Sequence, residues 1–85
     1  MAKVTIYSSD FCPYCSRAKA LLQARGVTDY EEIVVDGKPD VRARMTQITG
    51  RTSVPQIFIG EAHIGGCYDL HALDGRGGLV PLLQA

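Results

Sequence analysis

Eighty-five residues, 46% of them hydrophobic, suffice for one compact domain spanning residues 1–85 and leave no room for a second. Nine acidic and nine basic side chains cancel, so no bulk field draws the chain to nucleic acid or a membrane surface, and partners must be recognised locally. The apolar stretch at the start is too short for a signal peptide, none elsewhere reaches the roughly eighteen residues of a membrane span, and three cysteines are an odd number; the expectation is a soluble cytoplasmic protein whose thiols serve chemistry.

Val4-Thr5-Ile6-Tyr7 joins β-branched and aromatic residues in a short run that ends at Ser8-Ser9-Asp10, the pattern of a buried strand entering a loop. Pro13 suits the first turn of a helix, and Ala18, Leu21, Leu22 and Arg25 keep helical spacing until Gly26 closes it. Tyr30 to Val35 reads as a second strand stopped by Asp36-Gly37. Pro39 then opens a helix with Val41, Met45 and Ile48 on its apolar side, closing at Gly50. Pro55 to Ile59 and Ala62 to Ile64 flank Gly60-Glu61 and predict an antiparallel hairpin that exits at Gly65-Gly66. From Tyr68 onward, Leu70, Leu73, Leu79, Leu82 and Leu83 around the Gly75–Gly78 run fit one or two short closing helices. The order β-α-β-α-β-β-α implies an α/β fold, a four-stranded mixed sheet with helices on its faces.

Cys12-Pro13-Tyr14-Cys15 lies where the first strand gives way to the first helix. Unpaired N–H groups and the positive end of the helix dipole stabilise negative charge on a sulfur placed there, which singles out Cys12 as nucleophile. Cys15, three residues into the helix, is within disulfide reach but more shielded, and should resolve mixed disulfides formed at Cys12. A zinc site completed by Cys67 with His63 or His71 is disfavoured, because the second pair of ligands lacks a knuckle spacing, and no bound metal is expected. Cys67 reads as a small buried hydrophobe, although its closeness to the dithiol leaves room for a redox role. His63 and His71 show no acid–base partner by spacing and read as surface or packing residues. Tyr7, Tyr30 and Phe58 fall in strand patterns and are expected in the core. The glycine run lacks a following Lys-Ser or Lys-Thr and is not a phosphate loop.

Three segments, Cys12-Pro13-Tyr14-Cys15, Ser53-Val54-Pro55-Gln56-Ile57-Phe58-Ile59 and Ile64-Gly65-Gly66-Cys67-Tyr68-Asp69-Leu70, resemble the signature segments of the glutaredoxin family, in family order across essentially the whole chain. The resemblance implies a thioredoxin-like fold, with Pro55 in the cis form facing Cys12, and glutathione-dependent reduction of protein disulfides and glutathione mixed disulfides. It also implies a tripeptide site. Val54 bonds the cysteine backbone of glutathione as a neighbouring strand would; Gly66, Cys67 and Tyr68 offer N–H groups to the γ-glutamyl carboxylate; Asp69 pairs with its amino group; Tyr14 and Ser53 line the groove; and Arg42 meets the glycine carboxylate. Glutathione is then a co-substrate, with no permanently bound cofactor and a monomer expected. Reduction by a flavoprotein reductase, or a glutathione-ligated [2Fe–2S] cluster shared by two chains, are the alternatives; Pro13 speaks against the cluster. Relatives often carry lysine three residues before the nucleophile, where this chain has Ser9 followed by Asp10, so the thiolate has less help from a nearby cation. Ser53 stands for the usual threonine and Tyr68 for a small polar residue.

Overall fold

The computed structural model describes residues 2–85. Strand β1 (Val4–Ser8) is buried along nearly its whole length, consistent with an apolar run lacking strict alternation. It pairs in parallel with β2 (Glu31–Val34), Thr5 opposite Glu31 and Tyr7 opposite Ile33, and antiparallel with β3 (Gln56–Ile59), Ile6 opposite Ile57. β4 (Ala62–Gly65) completes the order β2-β1-β3-β4. The β3–β4 hairpin turns at Gly60-Glu61 as expected. Its ladder puts Phe58 opposite His63 but Ile57 opposite Gly65, so Ile64 is the extra residue of a bulge that bends the hairpin's exit.

Helix α1 (Pro13–Ala24) supplies the crossover that a parallel β1–β2 pair requires. It ends in a Schellman arrangement: Gly26 at φ +90° turns the chain so that Val27 N–H reaches Leu22 O at 2.9 Å, and Val27 buries beside Leu22. Helix α2 (Pro39–Thr49) has Pro39 in its first turn and Gly50 in the left-handed region at its close. Helices α3 (Cys67–Gly75) and α4 (Leu79–Leu83) are separated by the glycine run.

Two apolar layers cover the sheet. Val4, Ile6, Ile57 and Ile59 meet Ala18 and Leu22 of α1, Leu70 of α3, and Leu79 and Leu83 of α4. The opposite face is thinner: Tyr7, Val35 and Met45 are buried together, with Ile33, Val41, Val54 and Phe58 packed around them. Each fully buried aliphatic side chain contributes about 1.5–3 kcal/mol, so most of the fold's stability lies on the α1/α3 side. Tyr7, Tyr30 and Phe58 join the packing as expected. Ile48 departs from the helix-face reading and is exposed, because among the described residues Val41 and Met45 alone make the packing of α2 on this face of the sheet. Among the described residues no helix is long and apolar enough to cross a membrane.

Candidate active site

The end of β1 delivers the chain to Cys12, the N-cap of α1, with extended backbone at φ −133° and ψ 101°. Its side chain therefore stands over the opening turn, and Cys15 N–H donates to Cys12 Sγ at 3.1 Å. One of the unpaired first-turn N–H donors is thus satisfied by the sulfur. The Val54 carbonyl lies 3.9 Å from the same sulfur, and the Val54–Pro55 bond is cis, as the resemblance implied. Cys15 is 1% exposed. Its thiol is pushed up to about 12, first by burial, then by its hydrogen bond to Cys12, with the Cys12 charge adding and the Ser9 backbone and Lys19 pulling the other way. The two sulfurs thus differ in setting: Cys12 is half-buried under an amide donor, and Cys15 is buried behind it.

The loop before Cys12 is tied to the exit of β2. Ser9 Oγ donates to Asp36 Oδ1 at 2.7 Å and Asp10 N–H donates to Oδ2 at 2.9 Å. The Asp36 carboxyl is consequently held below the usual range, chiefly by the Asp10 amide and then by the Ser9 hydroxyl. Ser9 thus anchors the loop where relatives often place a cation.

Around the sulfurs, Phe11 is 98% exposed, Tyr68 83% and Tyr14 60%, and the Arg17 guanidinium carbon lies 5.7 Å from the Tyr14 ring centroid. Ser53 is exposed, Val54 half-buried and Pro55 buried. Gly66 is the extended N-cap of α3, and its N–H donates to Asp69 Oδ2 at 2.9 Å. Arg42, exposed on α2, donates through Nη1 to Thr52 O at 3.1 Å. Cys67 is buried in the larger apolar layer, and burial is the main cause raising its thiol, with Arg17 lowering and the Cys12 charge raising it.

Three contributors escaped the sequence reading. Arg51 Nη1 donates to Asp69 Oδ2 at 2.8 Å; a loop arginine whose partner is eighteen residues away leaves no periodic signal. Gln56, fully buried, donates through Nε2 to Ser53 O at 3.0 Å and meets His63 Nε2 through Oε1 at 2.7 Å. Gln56 is an amide and not an acid or base, so His63 stays the packing residue expected from spacing; its polar partner comes from pairing across a bulged hairpin, which brings together residues seven apart. Burial is the largest cause lowering the His63 pKa, followed by Arg51, with Asp69 opposing; because the Gln56 amide oxygen can only accept, Nε2 is the donor of the pair. His71 Nδ1 lies 2.9 Å from Cys67 O and 3.5 Å from Cys67 Sγ; donation to the carbonyl leaves that nitrogen no lone pair with which to deprotonate the thiol. Among the described residues no cluster of three or more His, Cys, Asp or Glu side chains is arranged to hold a metal ion. A cavity of about 520 Å³ lies at the starts of β1 and β2 beside Lys3, Asp29 and Glu31, away from the sulfurs.

The family model described as Glutaredoxin matches residues 4–64. A glutaredoxin of Pseudomonas aeruginosa is 56% identical over 85 residues, covering all of both chains. Glutaredoxin 3 of Escherichia coli K12 is 57% identical over 84 residues, 99% of this chain and all of that one. Among solved structures, a buckwheat glutaredoxin–glutathione complex superposes with a TM-score of 0.88 at 37% identity, covering 98% of this chain and 77% of that one. The solution structure of a Brucella melitensis glutaredoxin gives 0.85 at 49% identity, covering 98% and 89%.

Proposed function

This chain belongs to the glutaredoxin family, and from that premise we propose that its thiol–disulfide exchange runs through a Cys12/Cys15 dithiol supplied with electrons by glutathione. It is a thiol–disulfide oxidoreductase of thioredoxin-like fold. The observation that carries the assignment of roles is the Cys15 N–H on Cys12 Sγ at 3.1 Å, with the Cys15 thiol itself buried behind it.

In the monothiol route the Cys12 thiolate attacks the glutathione sulfur of a mixed disulfide, and the substrate leaves as its thiolate. A second glutathione thiolate then cleaves the Cys12–glutathione bond, releasing oxidised glutathione and restoring the Cys12 thiolate. In the dithiol route Cys12 first joins a sulfur of a protein disulfide. Cys15 gives up its proton and displaces the reduced substrate, and two glutathiones reduce the resulting Cys12–Cys15 bond.

Glutathione occupies the groove beside Cys12. Val54 pairs with its cysteine backbone, with Pro55, Tyr14 and Ser53 as walls. The N–H groups of Cys67 and Tyr68 receive the γ-glutamyl carboxylate beside Gly66, whose own N–H is taken by Asp69 Oδ2; Asp69 meets its ammonium and Arg42 the glycine carboxylate. The glutathione held by the buckwheat relative and the open N-terminus of α3 support this placement. Residues 1–85 act as one domain and as a monomer on glutathionylated proteins and protein disulfides, without a permanent cofactor, in the reducing cytoplasm that suits three free thiols.

The test is Cys15→Ser. It should keep deglutathionylation of a peptide and lose reduction of a protein disulfide, and mass spectrometry after brief exposure to oxidised glutathione should find one adduct, on Cys12. Equal loss of both activities, or an adduct elsewhere, refutes the roles.

A further inference from the structure

Three features converge on one carboxylate at the start of α3. Gly66 N–H donates to Asp69 Oδ2 at 2.9 Å, and Arg51 Nη1 donates to the same atom at 2.8 Å. Gly65, at φ +118°, clears the space: a Cβ there would sit 2.7 Å from Asp69 Cγ and collide with Oδ2. Few L-residues tolerate that φ, so glycine is required twice over. Among the described residues Asp69 Oδ1 accepts no hydrogen bond, while Oδ2 accepts both.

Arg51 and Asp69 are both partly exposed, 47% and 35% for their side chains, and an ion pair in that setting adds little to folding stability. Its effect is geometric. A short side chain held at one oxygen by a backbone amide and a guanidinium loses the torsional freedom it would otherwise surrender on binding, which is a gain in preorganisation. Arg51 is also the largest cause holding the Asp69 carboxyl below its usual range, ahead of the Gly66 amide, so the group is an anion at neutral pH.

We propose that Arg51 is a positioning residue for Asp69, fixing Oδ2 so that Oδ1 is presented to the γ-glutamyl ammonium, and that Arg51 thereby sets the preference for substrates bearing a free α-amino group. This rests on the reading of Asp69 as the ammonium acceptor, and deepens it by naming the feature of the substrate that the pair reads.

The experiment compares initial rates on one peptide glutathionylated at its cysteine with rates on the same peptide carrying N-acetylglutathione, whose amino group is blocked. Arg51→Ala should raise KM for the first about fivefold with kcat within about twofold, Arg51→Lys should recover most of the loss, and KM for the acetylated peptide should move less than about twofold. The double variant Arg51→Ala/Asp69→Asn should be no worse than Asp69→Asn, because both substitutions remove one interaction. An equal rise for both peptides, or for neither, overturns the positioning role while leaving Asp69 as acceptor. If Asp69→Asn itself preserves discrimination between the two peptides, the ammonium reading falls, and the role of Arg51 with it.

Discussion

Cys12 and Cys15 are one helical turn apart, yet their surroundings differ in the way the proposed attacking and resolving roles require. Cys12 sits half-buried at the helix start with an amide on its sulfur, whereas Cys15 is packed inside, its thiol pushed up to about 12 with burial as the largest cause. Because burial leads, removing Cys12 should not free Cys15. In Cys12→Ser, alkylation of Cys15 by iodoacetamide at pH 8 should remain at least about tenfold slower than at an unfolded cysteine, rising only as pH approaches the elevated value. Peptide mass spectrometry over a pH series measures this, and a Cys15 that alkylates like a free thiol at pH 8 would show that Cys12, not burial, controls it. These two residues were legible in the sequence because a helix opening after a strand is a local pattern with a direct electrostatic consequence. Arg51 and the His63–Gln56 pair were not, since their roles exist only once loop and hairpin bring distant residues together.

At the scale of elements, one carboxylate joins β1, β2 and α1. Glu32 Oε2 accepts from Ser8 Oγ at 2.6 Å and from Lys19 Nζ at 2.9 Å, and Ser8 is fully buried. Glu32→Ala leaves that hydroxyl without an acceptor, which should cost about 1–3 kcal/mol in urea unfolding; replacing Ser8 by Ala as well should recover part of it. The Glu32 carboxyl is lowered, first by the Ser8 hydroxyl and then by Lys19. A depressed folded pKa gives stability that is fully present above the unfolded value and lost as pH falls through the folded one. The stability gap between wild type and Glu32→Gln should therefore be constant above the ordinary 4.5 and close below it; a gap that persists well below the folded pKa would rule out the ionised carboxylate as its source. Glu31-Glu32 in a strand gave no sequence cue for such a tie, because β2 is half-exposed and its polar face looks like ordinary solvation. The positions of the helices and strands, by contrast, were readable to within a residue or two from Pro13, Gly26, Pro39 and Gly50, whose constraints act locally. The Ile64 bulge was not, being a property of register between two strands.

At the scale of the whole molecule, the two sides of the sheet are unequal, and the proposed glutathione site is divided between them. Cys12 and the start of α3 belong to the side where Leu22, Leu70, Leu79 and Leu83 form the larger layer. Arg42 rides on α2, which Met45 and its neighbours hold against the other face. Leu22→Ala cuts into the layer that carries most of the stability and should cost about 2–5 kcal/mol, a large share of the roughly 5–15 kcal/mol available to a domain. Activity should then fall in parallel with the folded fraction. Met45→Ala should cost toward the lower end of that range, since α2 can settle onto the sheet over a smaller layer. Loosening α2 displaces Arg42 while the sulfurs stay in place, so the folded Met45→Ala enzyme should show a higher KM for glutathione with kcat nearly kept. Paired urea titrations and steady-state kinetics on the two variants make the comparison. If Met45→Ala is the more destabilising, or lowers kcat while sparing KM, then α2 does not act as a separately held arm of the proposed glutathione groove.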